Sequence, residues 1–230
     1  LYLIMGAAIA ACAFIGIWLA CLLFYRLIMG KSGNEDGILR VSLFFARLHT
    51  TALNGFFMHT GRLRLFPYRI WFGAGVLISL ALMATSCVLL TVLAYNTLAQ
   101  RPANEQVLTP VVPGVNLPSN HLPYYLGALL LCGIFHEFGH AVAAAREDIR
   151  VQAAGIFVLG VYPGAFVDLN SADLALVSPA RRLRVFCAGV WHNTVLALGA
   201  ILLLIRPAWL LAPLGYSNAS GAVVTWLAAG

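Results

Sequence analysis

Four long apolar runs constrain the fold of this chain more than any other feature of its sequence. They are Leu1–Tyr25, Ile70–Leu98, Pro123–Ala145 and Val185–Ile205. About 20 apolar residues suffice for a helix to cross the hydrocarbon core of a bilayer. Only 10% of the residues are charged, whereas soluble domains carry about 25%. We therefore predict an all-α polytopic membrane protein with about four transmembrane helices.

The distribution of positive charge predicts how these spans are oriented. Lysine and arginine are concentrated between the first and second spans and between the third and fourth. The other two loops hold only Arg101 and Arg206. Because alternate basic loops follow the positive-inside rule, we expect the two basic loops in the cytosol and both termini on the opposite side. The net charge of +6 reflects this segregation, and we expect no direct nucleic-acid partner.

Three connecting segments carry patterns of their own. Within the first basic loop, apolar residues from Ile38 to Leu48 recur at helical spacing with Arg40 and Arg47 on another face, which predicts a basic amphipathic helix. It would lie on an anionic leaflet or pack on the protein's own core. The segment 100–122 is rich in proline and is predicted to be an extended lumenal connector. Val151–Val167 is uncharged and interrupted by glycine and proline, which predicts a small β-hairpin or re-entrant segment whose edge could pair with an unwound peptide.

The third span contains the pattern His-Glu-x-x-His. His136 and His140 are four residues apart, so on a helix their rings lie on one face and can bind one zinc ion. Glu137 lies beside them without being required as a ligand, and in zinc hydrolases of this pattern it is the general base for the attacking water. Ionisable residues in a membrane span are costly, which favours function over an exposed polar patch. A structural zinc site or a buried hydrogen-bonded cluster remains an alternative.

The longer motifs around this pattern are similar to those of the site-2 protease family of intramembrane zinc metalloproteases, in its animal form. The similar segments are NEQVL, VVPGVNLP, FHEFGHAVAAARE, GIFVLGVYPGAFVDL and SPARRLRVFCAGVWHN. The resemblance implies that His136 and His140 bind zinc and that Glu137 is the catalytic glutamate. It also implies a Golgi membrane protein that cleaves transmembrane segments of membrane-anchored transcription factor precursors in sterol and unfolded-protein responses.

One departure from the family pattern concerns the third zinc ligand. The family uses an aspartate in a Leu-Asp-Gly motif on a later transmembrane helix, and this chain contains no Leu-Asp-Gly. The chain begins with Leu1, so we expect it to be a fragment whose third ligand lies outside it and which, alone, binds zinc weakly and is inactive. Asp148, Asp168 and Asp173 are poor substitutes, and we expect them to be solvated cytosolic carboxylates.

A polar pair in the fourth span is the remaining site candidate. His192 and Asn193 are costly at membrane depth. The family has an asparagine at the position of Asn193 near its active site, so Asn193 could donate to substrate or to a developing oxyanion. A hydrogen bond between helices is the structural alternative for Asn193, and we favour a structural role for His192.

These patterns together predict a domain organisation and leave two rival functions. The rivals are an ion or proton transporter that uses His and Glu within the membrane, and a non-catalytic scaffold that holds a metal; no internal repeat supports the transporter. The predicted segments are a transmembrane helix over 1–30, a cytosolic amphipathic basic loop over 31–69, a second transmembrane helix over 70–99, a lumenal connector over 100–122, a protease core over 123–214 and the start of a lumenal PDZ-like region over 215–230.

Overall fold

The structure is a computed structural model that describes residues 2–29, 39–42, 44–63, 67–102, 108 and 118–205. The helices in these ranges are α1 Tyr2–Met29, α2 Asn54–Gly61, α3 Tyr68–Leu98, α4 Leu122–Arg146, α5 Ser171–Leu176 and α6 Pro179–Ile205. The strands are β1 Leu39–Ser42, β2 Phe45–Thr50, β3 Val151–Leu159 and β4 Tyr162–Leu169.

Among the described residues, α3, α4 and α6 are long and apolar enough to cross a membrane. Within α1, the residues whose side chains are described include a further apolar segment, Phe14–Arg26. Large apolar side chains such as Leu77, Met83 and Leu98 are exposed along α3, as expected for a surface that faces lipid. The predicted fold class, a helical polytopic membrane protein with a small β element, is confirmed.

The four strands form one antiparallel sheet in the order β1-β2-β3-β4. The predicted β-hairpin is present as β3 and β4, in which Leu159 pairs with Tyr162 across the turn. β2 comes from the first basic loop and pairs along Thr50 to Phe45 with Ala154 to Leu159 of β3. Because strands of both basic loops share one sheet, the two loops lie on the same side of the spans.

The prediction of an amphipathic helix within the first basic loop is wrong. Leu39–Ser42 and Phe45–Thr50 are strands joined by a tight turn, in which Phe44 has a φ of 59°. The ring of Phe44 stacks on Phe14 of α1 at 5.6 Å, which helps to hold a conformation that is unfavourable for a non-glycine residue. Helical spacing of apolar residues was overridden here because β3 offers a partner strand whose backbone groups need hydrogen bonds.

Small residues let the other elements approach α4 closely. Ala141, Ala143, Ala144 and Ala145 are completely buried, and their small side chains allow close packing. A Cβ added to Gly61 of α2 would lie 2.6 Å from the Cβ of Ala145, so that contact requires glycine. The apolar core beside this contact consists of Phe57, Ala141, Val151 and Ala154, with Met58, Phe138, Val167 and Leu169 around them.

The chain divides into two compact units, Leu1–Asn193 and Thr194–Gly230. The described part of the second unit is the end of α6, where Leu198, Ile201 and Leu204 are exposed. The PDZ-like start predicted for 215–230 lies outside the described residues.

Candidate metal centre

The two histidines of the motif converge on one point beside α6. Their ring centroids are 4.8 Å apart and their planes are inclined at 74°. A Cβ built on Gly189 would lie 2.5 Å from Nε2 of His136 and 2.5 Å from Nε2 of His140. Both Nε2 atoms therefore face the same small space, which exists because position 189 has no side chain.

The ring of His140 is oriented by a backbone carbonyl. Its Nδ1 lies 2.7 Å from the carbonyl oxygen of Val185, an acceptor, so Nδ1 carries the proton and donates it. In neutral imidazole the other nitrogen then has a free lone pair. Nε2 of His140 is thus prepared as a metal ligand, in the arrangement that metal-binding histidines usually adopt.

Asn193 provides the equivalent contact for His136. Its side-chain nitrogen lies 3.4 Å from Nδ1 of His136, and its Oδ1 is buried with no hydrogen-bond partner among the described residues. Rotating the amide by 180° places Oδ1 where it accepts a hydrogen bond from Nδ1–H of His136. That orientation satisfies the orphaned oxygen and leaves Nε2 of His136 unprotonated. The contact is between helices, as the structural alternative for Asn193 predicts.

Glu137 connects the metal helix to the sheet. Its Oε2 accepts a hydrogen bond of 2.9 Å from the backbone N–H of Val167 in β4. β4 is an edge strand, and its outer N–H groups would otherwise lack partners on that side. The other carboxylate oxygen of Glu137 has no hydrogen-bond partner among the described residues. It can therefore accept a proton from a water molecule or donate one to a leaving group.

Two cavities of about 320 Å³ each meet at Glu137. The first lies between α4 and β4 and is lined by His136, Glu137, Asn193, Gly164 and Ala165 among others. The second is apolar and is lined by residues of α2, α4, β3 and β4. These include Phe56, Phe57, Ile134, Phe138 and Phe166. A peptide that lay along the edge of β4 would therefore meet the histidine pair with its backbone and an apolar cavity with a side chain.

His192 has a packing role, as the sequence suggests. Its Nδ1 is 2.8 Å from the carbonyl oxygen of Ala188 on the same helix, and its ring contacts Trp71, Phe72 and Phe138. A Cβ on Gly139 would lie 2.6 Å from Nδ1 of His192 and from the backbone oxygen of Ala188. His192 thus lies where α4 and α6 pack closely.

The three aspartates weighed as ligands each pair with an arginine. Asp168 pairs with Arg47, and Asp148 lies 3.6 Å from Arg62. Asp173 is held by Arg150. Hydrogen bonds from the Arg150 side chain and backbone hold the pKa of Asp173 below its usual value. Within the described ranges no group of three His, Cys, Asp or Glu residues is arranged to hold a metal.

The residues present fit two positions of a tetrahedral zinc site. The chemistry of the donors is suitable, because neutral imidazole nitrogens are standard zinc ligands and each ring has an orienting partner at Nδ1. The space left by Gly189 is bounded by both Nε2 atoms. A hydrolytic zinc site needs a third protein ligand as well.

Sequence reasoning missed three groups that shape this centre. They are the carbonyl of Val185, the backbone N–H of Val167 and Gly189. The first two are backbone groups, which the identity of the residue does not reveal. Gly189 carried a weak signal, since glycine within a helical span often permits a close approach.

Gly189→Ala is expected to weaken metal binding by about 10–100-fold, the range seen when supporting groups of a metal site are changed. The added Cβ collides with the ends of two imidazole rings, which can turn aside, so the helices keep their packing. Zinc affinity of the purified full-length protein, measured by competition with a chelator, tests this. Gly199→Ala is the matched control, because nothing lies within 4 Å of its Cβ. Wild-type affinity in Gly189→Ala would contradict the convergence of the rings.

Comparison with known proteins identifies the class of this site. Residues 124–223 match the model of peptidase family M50, whose members are metalloproteases and generally zinc-dependent. The chain is also 30% identical over 131 residues to the membrane-bound transcription factor site-2 protease homolog of Arabidopsis thaliana. That match covers 55% of this chain and 25% of the relative, so the chain spans about a quarter of the relative's length. No solved structure matches.

The helical spans and the match over α4 to α6 define an integral membrane protein with a family M50 peptidase region. Within that class, both comparisons support the resemblance to the site-2 protease family that the motifs carry.

Proposed function

We propose that the full-length protein is an intramembrane zinc metalloprotease in which His136 and His140 bind the metal and Glu137 is the general base. The observation that carries the proposal is the position of two Nε2 atoms at one point, beside a carboxylate and inside a membrane-length helix. His140 is six residues before the end of α4, which corresponds to about 9 Å along the helix. The centre therefore lies within the hydrocarbon depth, near the predicted cytosolic side.

The residues of this chain supply positioning and proton transfer. Zinc, when bound, would supply a Lewis acid that polarises the scissile carbonyl and lowers the pKa of water. Glu137 accepts a proton from the attacking water molecule while the oxygen of that water bonds to the scissile carbonyl carbon. Glu137 then donates that proton to the leaving nitrogen as the C–N bond breaks. The N–H of Val167 holds one oxygen of Glu137, so the carboxylate is already oriented toward the cavity.

The edge of β4 offers a way to hold the substrate. A transmembrane helix hides its peptide bonds in hydrogen bonds, so it must unwind before it can be cut. An unwound segment can pair with an edge strand by β-augmentation. The N–H of Ala165 lies on the outer edge of β4 next to Gly133, and the cavity with His136 and Glu137 opens beside it. Gly133 leaves room there that a larger side chain would fill.

The family resemblance supports a finer proposal for the substrate. The relative from Arabidopsis thaliana is named for a membrane-bound transcription factor, and we propose that membrane-anchored transcription factor precursors are the substrates. Release of their cytosolic domains from the Golgi membrane would then link this protein to sterol and unfolded-protein responses. The 230 residues alone are proposed to be inactive, since they supply two of the three ligands.

Cleavage of a single-span substrate in vesicles tests the proposed reaction. The full-length protein is expected to cut within the transmembrane segment, to lose activity with a zinc chelator and to recover it when zinc is restored. Mass spectrometry of the products locates the cut. Cleavage only outside the span, or full activity after zinc is removed, would contradict the proposal. Ion flux without cleavage would instead support a transporter.

A further inference from the structure

A third, larger cavity lies away from the histidine pair and is lined mainly by charged side chains. Its volume is about 710 Å³, within the range of sites for small molecules. Five arginines line it, at positions 62, 69, 146, 181 and 184, together with Glu147 and Asp148. Five positive and two negative groups leave an excess of three positive charges. A cavity of this composition excludes apolar ligands and favours an anion.

The cavity lies where the candidate spans meet the membrane boundary. Arg69 is the second residue of α3, Arg146 is the last residue of α4, and Arg181 and Arg184 are in the first two turns of α6. This end of the spans carries the two basic loops and is therefore the predicted cytosolic side. The cytosolic leaflet holds most of the anionic lipid of a membrane. The start of α6 adds the positive end of a helix dipole.

Some of the charged side chains that line the cavity are paired with one another. Glu147 is buried, and its carboxylate accepts hydrogen bonds from Arg181 and, at 2.6 Å, from Arg184. Burial opposes ionisation of Glu147, but these hydrogen bonds outweigh it and hold the pKa of the carboxyl below its usual value. Two arginines on one carboxylate leave one uncompensated positive charge, held by hydrogen bonds between the end of α4 and the start of α6.

The remaining arginines supply the rest of the excess charge. Arg62 and Asp148 lie 3.6 Å apart and are both exposed, which makes a weak pair. Arg69 has no ion pair or hydrogen bond among the described residues. Arg146 makes no such contact in that part of the chain either, and its guanidinium lies 5.9 Å from the ring centre of Tyr68. Both are therefore available to an anion.

Three arginines outside the cavity, on the same side, are paired within the chain. Arg47 pairs with Asp168, and Arg150 pairs through two nitrogens with Asp173. Arg182 donates to the carbonyl oxygens of Ala175 and Val177. Three basic residues outside the cavity are thus matched by acceptors of the chain, whereas the basic groups around the cavity exceed their acceptors. The excess is concentrated in a concave site.

We propose that this cavity binds the phosphate groups of an anionic lipid headgroup from the cytosolic leaflet. Arginine guanidinium groups bind phosphate oxygens in a bidentate manner, which favours phosphate over a simple halide. A headgroup with a phosphomonoester of about −1.5 to −2 in addition to its phosphodiester would balance the excess of three charges. A phosphorylated phosphatidylinositol has this chemistry, and its acyl chains would lie along the exposed apolar faces of the spans.

Binding of a short-chain lipid to the full-length protein tests this proposal. The probe is dioctanoyl phosphatidylinositol 4-phosphate, and affinity is measured by native mass spectrometry in neutral detergent at several salt concentrations. Arg69→Gln combined with Arg146→Gln is expected to lower the affinity by about tenfold or more, since charge-assisted contacts to phosphate are lost. The thermal midpoint without lipid is expected to stay near that of the wild type, because neither side chain has a hydrogen-bond partner among the residues that the structure describes.

Arg40→Gln is the control variant, because Arg40 is exposed on β1, outside the cavity but on the same side. It is expected to bind the lipid within about twofold of the wild type, as screening by salt weakens distant exposed charges. Equal loss in Arg40→Gln, or no loss in the double variant, would overturn the proposal. Inositol 1,4-bisphosphate and inorganic phosphate are the soluble probes. Binding of either as tight as that of the lipid would assign the site to a free anion and overturn the lipid assignment.

Discussion

Glu137→Gln in the full-length protein is expected to lower peptide cleavage by about 10²–10⁴-fold, the range that a positioned acid or base contributes. The amide still accepts the hydrogen bond from the N–H of Val167, so the side chain keeps its position. It has no basic oxygen to take a proton from water. Single-turnover cleavage of a membrane-anchored substrate measures the effect, and zinc content is measured on the same preparation.

The zinc content of Glu137→Gln distinguishes a base from a ligand. Because His136 and His140 supply the imidazole nitrogens, the variant is expected to hold as much zinc as the wild type. Asp148→Asn is the control, since it removes one negative charge from an exposed residue that lines the arginine-lined cavity, away from Glu137. It is expected to leave cleavage unchanged. Wild-type cleavage by Glu137→Gln would eliminate Glu137 as the general base.

His140→Ala is expected to remove both the bound zinc and the cleavage activity. His140 is the better supported of the two rings, because Val185 fixes its Nδ1 at 2.7 Å. One imidazole alone does not make a hydrolytic site of three protein ligands. Elemental analysis of purified protein measures the metal, and the zinc-to-chain ratio is expected to fall close to zero.

A packing defect must be separated from the loss of a ligand. His192→Ala serves this purpose, because His192 is a half-buried histidine of α6 that contacts Trp71, Phe72 and Phe138. Truncating its ring is expected to cost about 2–4 kcal/mol of stability, as for other large-to-small changes at packed positions. Its zinc content is expected to remain that of the wild type. Retention of zinc by His140→Ala would show that the motif does not bind the metal.

Three of the four spans, including the motif helix, could be predicted because their signals are local. Twenty apolar residues in a row are sufficient to indicate a membrane helix. The four-residue spacing of His136 and His140 places both rings on one helix face, and the structure brings their Nε2 atoms together. The β3-β4 hairpin was also predictable, because glycine marks positions where a turn needs a left-handed backbone. Gly160 takes such a conformation at the turn, with a φ of 62°.

The first basic loop was mispredicted because its structure depends on a distant partner. Leu48 pairs with Ile156 and Thr50 with Ala154, more than one hundred residues along the chain. Helical periodicity in a short segment says nothing about an available strand edge, so local pattern and tertiary pairing disagreed. The basic cavity was hidden for the same reason, since its arginines are spread over four elements and come together only in the fold.

The groups that orient the side chains of the metal centre were the hardest feature to predict. The carbonyl of Val185, the N–H of Val167 and the missing side chain of Gly189 each act through backbone position. The sequence identifies which residues can bind zinc, whereas the packing of α6 and β4 against α4 decides how those residues are oriented.

X-ray absorption at the zinc edge of the purified full-length protein tests the central claim most directly. The account predicts one zinc ion per chain, with two imidazole nitrogens at about 2.0–2.1 Å in its first coordination shell. The imidazole scattering is expected to disappear in the double variant His136→Ala and His140→Ala. A coordination shell without imidazole in the wild-type protein, or no stoichiometric zinc at all, would contradict the account.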